Sequence, residues 1–194
     1  MPTILALLTP DYADWEFAMV AAAARGYCGV NVITASPEGE PVTSMGGLRA
    51  VPDTAFNDID LGKVSALLVI GGTAWESPDA PDIGELLRAA NWDQRLIAAI
   101  CGGTRALAAS GLLDRVQHTS NAKSYIADVT GYRGADFYRD VPTALRAGNI
   151  ITAPGTAPVS FMKTVIEALR KGSAELDFYA GMFGAEHEAN RRAA

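Results

Sequence analysis

The sequence predicts one α/β domain built on a mostly parallel, helix-covered sheet. Three observations predict it. Apolar runs of strand length alternate with segments of helical composition. The central runs, 66–70 and 96–100, are apolar throughout, as expected of strands covered on both faces. Pro and Gly are spread along all 194 residues, so no linker separates two domains, and that length suits one core.

Residues 3–8 (TILALL) form the first strand, ended by Thr9-Pro10. Residues 14–25 are rich in helix formers, with Gly26 placed as a stop. Residues 30–34 make the next strand, closed by Ser36-Pro37-Glu38-Gly39, and Gly46-Gly47 marks a hairpin turn between short extended pieces. The strand 66–70 runs directly into Gly71-Gly72-Thr73. A helix follows near 82–90, then the strand 96–100, the turn Cys101-Gly102-Gly103 and a helix over 104–109. Residues 149–152 form a last strand before Ala153-Pro154-Gly155, and 159–171 and 175–188 are closing helices.

Composition removes several function classes. With 16 Lys+Arg against 22 Asp+Glu the chain carries a formal charge of −6, so it has no electrostatic reason to seek nucleic acid or anionic lipid. No apolar stretch approaches the ~18–20 residues of a membrane span. The N-terminus reads as a buried strand rather than a signal peptide, and two cysteines make no disulfide framework, so a cytoplasmic location is expected. No Cys or His pair has zinc-ligand spacing, so no metal site is expected.

In open parallel sheets ligands collect beyond the carboxyl ends of the strands. The most informative such end is Ala99-Ile100-Cys101-Gly102-Gly103, which has the small-x-nucleophile-x-Gly form of a nucleophile elbow. A tight strand-to-helix turn would hold the Cys101 sulfur out of the sheet, near a helix N-terminus that favours thiolate. A small buried cysteine before a Gly-rich turn is the plain alternative. Gly71-Gly72 either lends backbone N–H groups to an oxyanion or is simply a tight turn. Glu16, among Trp15, Phe17 and Met19, is either solvated or turned toward the strand ends, where burial would raise its pKa. Cys28 reads as structural and His187 as a surface residue, which leaves His118 as the one candidate base for a Cys–His pair.

These pieces together resemble the ThiJ/PfpI superfamily. The resemblance rests on Ala13-Asp14-Trp15-Glu16, Val69-Ile70-Gly71-Gly72, Ala98-Ala99-Ile100-Cys101-Gly102-Gly103 and Leu107-Ala108-Ala109-Ser110-Gly111-Leu112-Leu113. It extends to Thr152-Ala153-Pro154-Gly155-Thr156 and Ile166-Glu167-Ala168-Leu169. It implies a flavodoxin-like three-layer sandwich with a mostly parallel sheet, related to class I glutamine amidotransferases. By position it makes Cys101 the nucleophile, Glu16 the acid bonded to its sulfur, and the amides of Gly72 and Gly102 the oxyanion hole, with Gly71 beside them. It implies a small-molecule substrate, a homodimer, and no organic cofactor or metal.

One position departs. Where the family commonly has Thr-Ser-His or Thr-Thr-His, this chain has Thr119-Ser120-Asn121, with His118 three residues earlier. Asn cannot take a proton from a thiol. Either His118 reaches the site from its displaced position, or the helix terminus and Glu16 maintain the thiolate. The expectation is a cysteine-dependent enzyme acting on a small carbonyl or amide-like substrate, of hydrolase/amidase or glyoxalase/deglycase type. The alternative is a non-catalytic redox or stress protein with an oxidisable Cys101. Peptide hydrolysis fits a Cys–Glu pair poorly. A glutaminase triad would need His and Glu after the last strand, where Thr152-Ala153-Pro154-Gly155 has neither.

Overall fold

The computed structural model describes residues 1–169 and 171–193, with side chains as far as residue 185. The elements are β1 (Thr3–Leu7), α1 (Asp14–Tyr27), β2 (Asn31–Ser36), β3 (Val42–Thr43), β4 (Arg49–Ala50), β5 (Thr54–Ala55) and β6 (Ala66–Val69). They continue with α2 (Gly84–Trp92), β7 (Leu96–Ile100), α3 (Gly103–Ala109), α4 (Lys123–Ala127), β8 (Leu145–Ala147), β9 (Ile150–Ala153), α5 (Pro158–Ala168) and α6 (Ala174–Ala193). The main sheet has the order β5-β2-β1-β6-β7-β9-β8, and only the β9–β8 pair is antiparallel. The predicted hairpin at Gly46-Gly47 is the separate β3–β4 pair.

Period-two alternation along the central strands builds two cores. Ile4, Ala6, Leu68, Ile70, Ala98 and Ile100 pack with α1, α5 and α6 through Val20, Phe161, Val165 and Leu176. Leu5, Leu7, Leu67, Val69, Ile97 and Ala99 face the other way, against Leu87 of α2, Leu107 of α3 and Ile126 of α4. The strands read as unbroken apolar runs because both faces are covered. The result is the three-layer sandwich, and β2-β1-β6-β7-β9 repeats the flavodoxin order 2-1-3-4-5.

The structure corrects several local expectations. Gly26 does not stop α1, which runs on to Tyr27; the chain reverses at Gly29, the residue with φ of +59°. The strands β5 and β8 and the helix α4 lacked an apolar signal because they are short and half exposed. Cys28 is buried in the α1 core, as expected, and burial raises its thiol pKa. The side chain of His187 lies outside the described residues. No helix among the described residues is long and apolar enough to cross a membrane.

Candidate active site

The switch point of such a sheet lies between β1 and β6, where connections leave in opposite directions and a crevice opens at the strand ends. Three segments converge there: the start of α1 after β1, Gly71-Gly72 after β6, and Cys101 after β7. Cys101 has φ of +54°, a left-handed conformation that costs a non-glycine residue on the order of 1–2 kcal/mol. Its neighbours hold it there. Cys101 N–H donates to the Ala153 carbonyl at 3.0 Å, and its own carbonyl accepts from Thr104 N–H at 3.1 Å and Thr104 Oγ1 at 2.6 Å.

Glu16 is turned inward, resolving the alternatives its sequence context left open. It is 0% exposed, and its Oε2 accepts from Gly71 N–H at 2.8 Å. Oε1 is buried without a hydrogen-bond partner on the side of the Cys101 sulfur: a Cβ built on Gly155 would lie 3.0 Å from Oε1 and 2.9 Å from Sγ. The space between them demands glycine. A Cβ on Gly71 would sit 2.5 Å from Glu16 Oε2 and 2.6 Å from Cys101 Cβ, and one on Gly155 would sit 2.9 Å from the sulfur. The backbones of Gly72 and Gly102 also touch, since a Cβ on Gly102 would lie 2.6 Å from the Gly72 carbonyl oxygen.

Asn121 completes the first ring of contacts. Gly155 N–H donates to its Oδ1 at 2.8 Å, so its amide can present only Nδ2 to the sulfur, at 3.2 Å. It is a donor to Cys101 and can never be its base. Trp15 Nε1 donates to the Gly155 carbonyl at 3.2 Å, so the two peptide units flanking the Gly155 Cα are each held by a side chain. Trp15, Glu16, Cys101, Asn121, Pro154, Gly155, Thr156 and Pro158 line a cavity of about 550 Å³.

His118 is not in this ring. It is fully buried, with Nδ1 2.8 Å from the Val116 carbonyl and Nε2 2.8 Å from the Tyr132 hydroxyl. A carbonyl only accepts, so Nδ1 carries the proton and Nε2 accepts from Tyr132. Burial pushes its pKa down, and it stays neutral as an edge-on neighbour of Tyr132 and Tyr138. The displaced histidine therefore anchors the loop that carries Asn121 and does not reach the sulfur.

The electrostatics also correct the expectation of a thiolate held by a helix terminus. Burial, reinforced by the negative charge of Glu16, pushes the Cys101 thiol up to about 11. The Asn121 amide and the Gly102 N–H oppose this and are outweighed; α3 is two turns long. Burial likewise raises Glu16 to about 7, against the pull of the Gly71 amide and the Cys101 thiol. Near neutrality the sulfur keeps its proton, and the carboxyl beside it is poised to accept one.

Several supporting residues carried no sequence signal. Thr104 Oγ1 and Ser120 Oγ form a buried 2.7 Å pair, and Thr119 N–H donates to Thr152 Oγ1 at 2.9 Å, tying the Asn121 loop to α3 and β9. The Tyr125 hydroxyl donates to Glu76 at 2.6 Å and Arg105 pairs with Asp128 at 2.8 Å, fixing α4. Each is an ordinary polar residue until the fold sets it beside its partner. Among the described residues no cluster of three or more His, Cys, Asp or Glu could hold a metal ion.

A flavodoxin-ordered sandwich with a strained cysteine at a strand-to-helix elbow and a buried glutamate against its sulfur defines an α/β protein of the nucleophile-elbow class. The chain belongs to the DJ-1/PfpI family, whose pattern matches residues 2–168. It is similar to a DJ-1 superfamily protein of Agrobacterium tumefaciens, with 42% identity, a TM-score of 0.93, and coverage of 96% of this chain and 100% of that one. It is 31% identical over 169 residues to a Bacillus subtilis (strain 168) protein named uncharacterized protease YoaZ, covering 81% of this chain and 78% of the relative. It is 30% identical over 169 residues to the glutathione-independent glyoxalase DJR-1.2 of Caenorhabditis elegans, covering 85% and 87%.

Three outcomes follow. In Glu16→Gln the charge that holds the thiol up is gone, so the midpoint of Cys101 alkylation, read by mass spectrometry across pH, shifts to lower pH than in wild type. The second outcome concerns stability. A carboxyl raised from about 4.5 unfolded to about 7 folded contributes stability that is complete below pH 4.5 and lost as pH rises through 7. Urea unfolding of wild type relative to Glu16→Gln should therefore weaken across that window by on the order of 3 kcal/mol, and parallel profiles would contradict the buried carboxyl. Third, His118→Phe leaves Val116 and Tyr132 unpaired and destabilises by about 1–3 kcal/mol, while the alkylation midpoint of Cys101 stays in place.

Proposed function

We propose that the chain is a cysteine-dependent enzyme of hydrolase or glyoxalase type acting on a small carbonyl compound. The observation that carries this reading is a fully buried Glu16, with a pKa near 7, facing the Cys101 thiol beneath an open cavity. A general base is most effective when its pKa lies near the working pH. Cys101 sulfur attacks the carbonyl carbon while its proton passes to the Glu16 carboxylate. The Gly72 and Gly102 amides receive the oxyanion, and Glu16 then protonates it to a hemithioacetal. With a 2-oxoaldehyde, Glu16 removes the hydrogen of the former aldehyde carbon as a proton and returns it to the neighbouring carbon. The thioester so formed is hydrolysed by water, and the sum is addition of one water to give a 2-hydroxy acid. The name of the Caenorhabditis elegans relative supports this choice of electrophile.

The redox reading has less support. Oxidation by peroxide proceeds through thiolate, and burial beside Glu16 keeps Cys101 protonated at neutral pH. Peptide hydrolysis is also disfavoured, because Asn121 is locked as a donor and leaves Glu16 alone to serve the leaving amine.

Turnover of methylglyoxal and a panel of amides by wild type, Cys101→Ser and Glu16→Gln tests the proposal. Wild-type kcat/KM is expected to rise through pH 7 as Glu16 ionises, and both variants to lose about 10²-fold or more. Equal, low rates in wild type and Cys101→Ser would overturn it. A thiol made more acidic by Glu16→Gln together with slower turnover would assign Glu16 to proton transfer rather than to holding the nucleophile.

A further inference from the structure

The walls of the cavity narrow the kind of carbonyl compound that the proposed chemistry would take. Trp15 is 49% exposed, and its indole nitrogen is already committed to the Gly155 carbonyl. What it offers to the cavity is therefore its ring. Pro154 and Pro158 add apolar surface, and the remaining groups are Thr156, Gly155, Asn121 and the catalytic pair. Among these lining residues none is Lys, Arg or His, and the one ionisable carboxyl is Glu16.

A carboxylate or phosphate next to the reacting carbonyl would face the like charge of the Glu16 carboxylate with no cation among the lining residues to receive it, which disfavours its binding. Arg105, on the helix that follows Cys101, is already paired with Asp128. A volume of about 550 Å³ also falls within the range of about 300–1,000 Å³ that accommodates a ring-bearing ligand. We propose that the cavity selects uncharged carbonyl compounds carrying an apolar or aromatic group, which lies against the Trp15 ring, and rejects those bearing an anionic group. This rests on Cys101 being the reacting atom, but its test needs no turnover.

Three reagents that deliver the same iodomethylene carbon to sulfur suffice: iodoacetanilide (aryl, neutral), iodoacetamide (small, neutral) and iodoacetate (anionic). Second-order labelling rates of Cys101 are read by mass spectrometry and divided by those of 2-mercaptoethanol, a neutral reference thiol. The expected order is iodoacetanilide over iodoacetamide over iodoacetate. Trp15→Ala should lower the aryl preference by about two- to tenfold, the range of an aromatic contact, while Trp15→Phe, which keeps a ring and loses the hydrogen bond, retains it. Thr156→Lys places a cation at the exposed rim and should speed iodoacetate labelling, whereas Thr130→Lys, the same charge away from the cavity, should not. Ratios equal to those of 2-mercaptoethanol, no effect of Trp15→Ala, or no labelling of Cys101 by any reagent would each overturn the assignment. Selective labelling without turnover of any carbonyl compound would sink the enzymatic reading and leave the pocket assignment standing.

Discussion

The site depends on one buried contact, the unpaired oxygen of Glu16 against the Cys101 thiol. A fully buried carboxyl with one oxygen lacking a hydrogen-bond partner holds a proton far more readily than it would in solvent, because burial penalises its charged form. The thiol suffers the same penalty and also feels the carboxylate. Neither group can ionise freely while the other is charged, so the two titrate as a pair. The proposed chemistry accordingly uses proton exchange between the two groups, rather than a thiolate standing ready in advance.

The rest of the architecture serves that contact. β1 and β7 do not pair with each other; β6 lies between them, and Gly71 at its end leaves the gap through which Glu16 and Cys101 meet. On the opposite side, Gly155 fits against the sulfur only because it has no side chain, and its amide and carbonyl are pinned by Asn121 and Trp15 respectively. His118, whose type alone would suggest catalysis, is used up by the Val116 carbonyl and the Tyr132 hydroxyl. A buried neutral histidine with both nitrogens satisfied is a structural crosspiece, and here it supports the loop that aims Asn121.

Much of this was legible in the sequence, and the reason is physical. Buried parallel strands are apolar at every position, so β1, β6, β7 and β9 stood out, and the elbow glycines marked where backbones had to crowd. The short pieces β5, β8 and α4 lack that signature, because edge strands and single-turn helices draw stability from neighbours rather than from their own pattern. Glu16 was legible as a candidate, but its direction was not: a carboxyl between Trp15 and Phe17 fits either a wet or a dry face. The direction of the Cys101 shift is not legible in the sequence for a related reason. Proximity to a helix terminus can be read from residue order, whereas the burial that outweighed it depends on what α1 and the Gly155 loop set around the sulfur.

A strained φ at Cys101 and a buried, half-satisfied carboxyl are both destabilising, and such features persist only where the surroundings over-determine them. The surroundings here are the two apolar cores, which meet at the central strands directly beneath the site. Thr104, hydrogen-bonded at once to the Cys101 carbonyl and to Ser120, joins the strained turn to the Asn121 loop. Relaxing the elbow would therefore break polar contacts in three segments together, and the cysteine stays in its left-handed conformation because no single neighbour can move to release it. Strain distributed in this way makes a site rigid, and rigidity holds one carboxyl and one thiol at a fixed separation, which is what the proposed proton transfer needs.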